Sequence, residues 1–331
     1  YVAMIATLIS GKTYVPVNKN TPLKRLKLIL KSSKANVIIS NKKLKTKFHC
    51  KSISLIDILN LKKIKNFKVK NSTKDAYIIF TSGSTGNPKG VRISRKSLDH
   101  YISWISKSFF KNKYIKCSQH PGIGFDLSVA DIYGTLCSGG TLFPIQSDYD
   151  RLFLSKFIKK NNITHWVSVP SVVDLIFNNN FFKKKDTVNL KKMFFCGETL
   201  KKIHLQKIFN ANNKIQVMNA YGPTEATVSC TSINLNNNNY KKFCKPSASF
   251  GKTIKNMKIN FLNNQKKQGE IIISGPQVSE GYLDDFNLNK KKFFKKGNNK
   301  IFVTGDVCKK INGNFYFLNR LDRQVKILGN R

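Results

Sequence analysis

The ten residues Thr81–Gly90 read TSGSTGNPKG, and their types and order suit one task, holding an anion. Gly83 and Gly86 let successive backbone N–H groups turn toward a phosphate, while Ser82, Ser84 and Thr85 add hydroxyl donors. Lys89 adds a mobile positive charge. The stretch is not the G-x-x-x-x-G-K-[ST] loop of many nucleotide-binding proteins. Counted from Gly83, Pro88 stands where that motif needs glycine, and Gly90 follows the lysine. The bland alternative is a polar surface loop in which Lys89 is one solvated lysine among many.

Such a loop must be held by regular elements. The run AYIIF (76–80) just before it reads as a buried strand, as do ANVIIS (35–40), HWVSV (165–169), KMFFC (192–196) and IQVMNAY (215–221). Helical spacing fills the gaps. Ser94 is placed to cap a helix carrying Leu98, Tyr101, Ile102, Ile105 and Phe109 on one face. The segments 125–136, 152–160 and 200–209 behave similarly. This alternation predicts an α/β fold of helix-covered β-sheets over residues 1–243. After that point MKINFL, GEIIIS, KIFVTG and NFYFL are strands between Asn, Gly and Lys turns, which predicts a small β-barrel-like subdomain over 244–321.

Composition narrows the class. The 331 residues are 40% hydrophobic, an ordinary globular share and enough for a large core. No run approaches the length of a membrane span, and the N-terminal apolar stretch lacks a basic leader and cleavage pattern. The seven cysteines are odd in number, scattered and without a C-x-x-C pair. That argues against a disulfide framework and a zinc site, and for a reducing, cytoplasmic setting. The net charge of +42 invites a nucleic-acid reading. The lysines, however, are spread along the chain with Asn and Ile, and no zinc-finger or RRM signature accompanies them. No nucleic-acid partner is expected; a basic surface can still steer an acidic one.

The loop with its flanks, YIIFTSGSTGNPKGV, resembles the phosphate-loop signature of the adenylate-forming superfamily. SGKTYVPVNKNTPLKRL resembles that family's early segment and FDLSVADIYGTLCSGGTL its amino-acid-recognition segment. NAYGPTEATV is similar to the adenine and magnesium segment. GEIIISGPQVSEGY, VTGD and NRLDRQVKILGNR follow in the family's order. Within the superfamily, FDLSVADIY, THWVSVPS and FFCGE are most similar to the D-alanine–carrier protein ligase branch.

The resemblance implies a carboxylate attacking the α-phosphorus of ATP, with Mg2+, and passage of the acyl group to a phosphopantetheine thiol. Thr81, Ser82, Gly83, Ser84, Thr85, Gly86 and Lys89 would hold the β- and γ-phosphates. Gly197, Glu198, Asn219, Tyr221 and Gly222 would contribute to the nucleotide site, with Tyr221 offering a ring face for adenine and Asn219 an amide for its edge. Thr224 would bond the α-phosphate, and Glu225 would ligate Mg2+. With only 17 acidic residues in the chain, Glu225 is not background charge. Asp306 would accept from the ribose hydroxyls and Arg320 would approach the ribose or phosphate. Val303 and Asn319 depart from the family, which usually has a basic residue and a glycine there. Lys89, Thr224, Glu225 and Arg320 make up the catalytic set.

Asp126 selects the substrate class under this resemblance, by pairing with an α-ammonium. Its plain alternative is a helix N-cap. Leu127, Cys196 and Val228 would line the side-chain pocket. The expected partners are a small amino acid, D-alanine, and a phosphopantetheinylated carrier protein. The alternatives are a peptide-synthetase adenylation domain for another amino acid, or an acyl-CoA synthetase. Tyr1 in place of Met, and a last strand that stops at Arg331, lead to the expectation of a sequence cut at both ends. Residues 322–331 are then the hinge and start of a lid domain whose absence would weaken adenylation.

Overall fold

Short runs of Val, Ile, Phe and Met, buried on both faces, form the parallel strands at the centre of the molecule. The computed structural model describes residues 1–44, 46–61, 68, 72–82, 88–177, 187–264, 267–297 and 299–322. Gly83, Ser84, Thr85 and Gly86 lie outside the described residues, as does the hinge region beyond Asp322. Among the described residues no helix is long and apolar enough to cross a membrane.

The central sheet has seven strands. Thr141–Pro144, Lys116–Gln119, His165–Ser168, Lys192–Phe195 and Gln216–Tyr221 run parallel in that order. Thr231–Leu235 and Lys252–Thr253 extend this sheet antiparallel at one edge. Strand residues alternate between two cores. Val167, Phe194 and Met218 face one, with the helices Arg95–Ser108 and Leu127–Cys137. Trp166, Met193, Phe195 and Val217 face the other, with the helices Leu154–Lys160 and Lys202–Ala211. The Ser94 side chain accepts from the Ser97 N–H, so the expected cap is present.

AYIIF lies in a strand apart from this sheet. Asp75–Ser82 pairs antiparallel with Pro88–Ser94, and the phosphate-type loop joins the two. The loop therefore leads into a strand that carries Lys89, and helix begins only at Arg95. The reason is local. Gly90, Val91 and Ile93 are buried against the preceding strand, and an extended pairing satisfies the backbone of both.

The later strands form a five-stranded antiparallel sheet, with no ring closure among the described residues. Its spine is the 13-residue strand Asn299–Ile311. Gln268–Ser274 runs along one side, with Lys258–Phe261 beyond it. Phe293–Lys296 and Asn314–Arg320 share the other side, the first along residues 299–302 and the second along 306–311. Mutual hydrogen bonds between Phe250 and Gly251 and Phe315 fasten this sheet to the core (3.0 Å each).

Trp166 is fully buried at the centre of its core and donates to Ser168 Oγ at 2.9 Å. Trp166→Ala is expected to lower unfolding free energy by about 3–5 kcal/mol in a denaturant titration.

Candidate functional site

The parallel strands deliver their C-terminal ends to one edge of the sheet, where open α/β sheets place their ligand crevice. The strand ending at Tyr221 runs into Gly222, Pro223 and a single 3-10 turn, Thr224–Ala226. The chain then doubles back through Thr227 and Val228, both at positive φ (54° and 69°). A Cβ at residue 222 would sit 2.4 Å from the Ser229 Cα and 2.7 Å from the Val228 carbonyl oxygen, so glycine is required there. Gln277 holds the reversal. Its buried Nε2 donates to the carbonyls of Ala226, Thr227 and Ser229 at 3.1, 3.2 and 2.8 Å. The Thr227 hydroxyl returns a bond to the Gln277 carbonyl at 2.7 Å.

Two cavities flank this reversal. One, of about 660 Å³, is lined by Gly197, Glu198, Asn219, Tyr221, Asp306 and Arg320, among others. Asp306 sits where the long strand exchanges one neighbour for the next and pairs in register with Arg320. Its carboxylate accepts from the Tyr221 hydroxyl and from Arg320, each at 2.5 Å. Burial pushes the Tyr221 phenol well above its ordinary range, and the Asp306 charge adds to this. Arg320 also pairs through Nε and Nη2 with Asp322, at 2.7 and 2.8 Å. Hydrogen bonds with Asp322 raise the guanidinium pKa, burial opposes, and the Asp306 charge adds to the rise. The buried Asn219 donates through Nδ2 to the Ser249 carbonyl at 2.8 Å. That bond fixes the amide's orientation and leaves Oδ1 a buried acceptor with no hydrogen bond among the described residues. The Tyr221 ring lies 4.5 Å from that of Phe250, which lines the same cavity.

The other cavity, of about 530 Å³, is lined by Asp126, Leu127, Cys196, Val228, Thr224, Thr81 and Ser82, among others. Gly197 and Gly222 line both cavities, so the two adjoin across these glycines. Asp126 occupies the N-cap position of Leu127–Cys137 but makes no side-chain cap bond. Its charge bears instead on the buried phenols of Tyr77 and Tyr101, whose pKa values burial has already pushed well up. Asn18 braces the turn that delivers Asp126. Its Oδ1 accepts the Gly124 N–H at 2.9 Å, and a Cβ on Gly122 would lie 2.7 Å from the same oxygen. Cys196 is a small buried apolar wall with its thiol toward the Val228 carbonyl at 3.5 Å.

Glu225 lies one residue beyond Thr224 and is almost wholly buried. It accepts from the Tyr282 hydroxyl at 2.7 Å. Lys89 places its ammonium 6.0 Å from the centre of the Tyr282 ring. Among the described residues no group of three or more His, Cys, Asp or Glu side chains converges to hold a metal. Gln277, Tyr282 and Asn18 were missed as site residues from sequence. All three fall inside the quoted motifs, but only their distant partners give them a role.

His120, unassigned from sequence, lines the 530 Å³ cavity together with Arg151. Burial, helped by the Arg151 charge, brings its pKa down to about 4. The unfolded side chain binds a proton near pH 6.5, so the stability tied to a neutral His120 is intact above that pH. It is lost as pH falls toward about 4. The thermal midpoint of His120→Gln is expected to fall less than that of the parent between pH 6.5 and 4.5. Equal falls would refute the assignment.

The family described as AMP-binding enzyme matches residues 1–283. A D-alanine–D-alanyl carrier protein ligase of Bacillus licheniformis is 34% identical over all of this chain and 68% of its own length. The Listeria innocua ligase of the same name is 32% identical, with the same coverage. Among solved structures, the Vibrio cholerae adenylation domain AlmE in complex with glycyl-adenosine-5'-phosphate superposes with a TM-score of 0.82 at 26% identity. That match covers 99% of this chain and 69% of AlmE. The Klebsiella oxytoca NpsA–ThdA adenylation–PCP fusion shares the fold, with a TM-score of 0.85 at 21% identity, over 100% of this chain and 68% of that one.

Proposed function

The chain belongs to the AMP-binding enzyme family, and we propose that it adenylates a small amino acid, D-alanine, with ATP and Mg2+ and passes it to the phosphopantetheine thiol of a carrier protein. One observation carries the reading. A cavity containing Asp126 adjoins, across Gly197 and Gly222, a cavity containing Asp306, Arg320 and the open acceptor of Asn219.

That arrangement suits an aminoacyl adenylate. Asn219 Oδ1 is an acceptor in need of a donor, and the exocyclic amine of adenine donates. Asp306 and Arg320 offer an acceptor and a donor for ribose and phosphate. Asp126 attracts an α-ammonium, while Leu127, Cys196 and Val228 leave an apolar wall for a short side chain. In the first step a substrate carboxylate oxygen bonds to the α-phosphorus and the bond to pyrophosphate breaks. In the second, the carrier thiolate attacks the acyl carbon and AMP leaves. The protein's part is to hold these reactants in line and to offset phosphate charge.

Glu225 would hold Mg2+, and Thr224 beside it would bond the α-phosphate. A buried carboxylate fits an ion that takes few protein ligands and completes its shell with water and phosphate oxygens. Bound there, Mg2+ would offset phosphate charge.

Titration calorimetry with non-hydrolysable acyl-sulfamoyl adenosines tests the reading. The D-alanyl compound is expected to bind more tightly than a large aromatic aminoacyl or a fatty-acyl one. A preference for the aromatic compound would favour a peptide-synthetase domain, and one for the fatty-acyl compound an acyl-CoA synthetase. Asp126→Ala is expected to weaken the D-alanyl compound about tenfold or more while leaving AMP unaffected. Asp306→Ala is expected to weaken both, because both carry the ribose.

A further inference from the structure

The segment Ser279–Leu283 lies far along the chain from the loop and from Glu225, yet it binds to both. It runs beside Gly90–Arg92 and makes an isolated antiparallel bridge, Tyr282 opposite Val91. Leu283 N–H donates to the Gly90 carbonyl, Arg92 N–H to that of Gly281 and Glu280 N–H to that of Arg92, at 2.8, 3.0 and 2.8 Å. Ser279 N–H donates to the Glu225 carbonyl at 2.8 Å. Tyr282 stands in the middle and is buried. Its hydroxyl donates to Glu225 Oε1, and its ring faces the Lys89 ammonium.

Tyr282 is itself held firmly. The Asn289 amide closes a pair of 2.7 Å bonds with its backbone, N–H to Oδ1 and Nδ2–H to the carbonyl. Phe293 packs edge-on against its ring at 5.4 Å. Gly281 makes this possible. It has φ of +101°, and a Cβ there would sit 2.6 Å from Asn289 Oδ1.

We propose that Tyr282 is a positioning residue that links the metal carboxylate to the phosphate-loop lysine: its hydroxyl aims the Glu225 carboxylate, and its ring face sets the resting place of Lys89. The inference rests on the nucleotide reading above. A phenol hydrogen bond occupies one carboxylate oxygen and sets the direction of the other. At 6.0 Å the ring attraction for Lys89 is at the outer edge of a cation–π contact, so it steers the ammonium without holding it back from a phosphate. The two effects act on the β- and γ-phosphates and their metal. AMP lacks those phosphates and does not call on either.

Nucleotide binding to the 331-residue chain tests this through fluorescent ATP and AMP titrations at a series of Mg2+ concentrations. Tyr282→Phe keeps the ring and removes the hydroxyl. It is expected to raise the Mg2+ concentration that half-maximally supports ATP binding about three- to tenfold, with AMP affinity unchanged. Tyr282→Leu removes both contacts and is expected to weaken ATP further, again sparing AMP. Wild-type Mg2+ dependence in Tyr282→Phe would overturn the proposal, as would equal loss of ATP and AMP. If the unaltered chain bound neither nucleotide, the nucleotide reading itself would fall, and this inference with it.

Discussion

Much of the site depends on one buried amide. Gln277 donates to three carbonyls of the reversal after Thr224, and it comes from the turn that follows the strand Gln268–Ser274, not from the strand that enters the reversal. Carbonyls exposed by positive-φ residues inside a protein need partners, and one side chain supplies them. The consequences spread in three directions. Tyr221 and Asn219 stay on the 660 Å³ cavity, Val228 is turned to the 530 Å³ cavity, and Glu225 is carried into the interior to meet Tyr282. Gly222 then has room only for a hydrogen.

Charge is organised around scarcity. Against 59 Lys and Arg residues stand 17 Asp and Glu, and several of those acids sit in defined pairs. Asp75 holds Arg92 at the base of the loop hairpin, at 2.8 Å. Glu280 holds Lys74 and Lys300 at 2.7 and 2.5 Å, and its backbone N–H bonds to the Arg92 carbonyl. Burial alone would raise the Glu280 pKa, and its bonds to Lys300 and Lys74 outweigh this and lower it. Asp131 is the contrast. It lies fully buried on the helix that Asp126 begins, and burial drives its pKa well up against three opposing backbone contacts. Asp126 stands at the start of the same helix and lines the 530 Å³ cavity.

Legibility followed the range of the interactions. Three of the five parallel strands, His165–Ser168, Lys192–Phe195 and Gln216–Tyr221, and the helix capped by Ser94 could be read because their apolar spacing and cap are local facts, whereas the more polar Lys116–Gln119 and the strand Thr141–Pro144 were not. AYIIF was equally apolar, but nothing within it says that its partner is the hairpin strand across the loop and not the central sheet. Lys89 was legible as a cation beside a flexible turn; its resting place against an aromatic ring was not, because Tyr282 is far along the chain. Asp126 reads equally well as a cap or as a ligand acid until its backbone is seen in helical conformation with no cap bond.

By itself the sequence determined the kinds of chemistry present and their order: a glycine- and hydroxyl-rich turn with one lysine, an aromatic–proline–acid turn, and scattered acids against a basic background. Those follow from residue type and close spacing, which act within a few residues. Only the tertiary structure decided which acid pairs with which base, that two cavities adjoin at Gly197 and Gly222, and that Gln277, Asn18 and Tyr282 hold the parts together. These contacts join residues 48 to 106 positions apart, where only the packing of whole sheets brings a donor within reach of its acceptor.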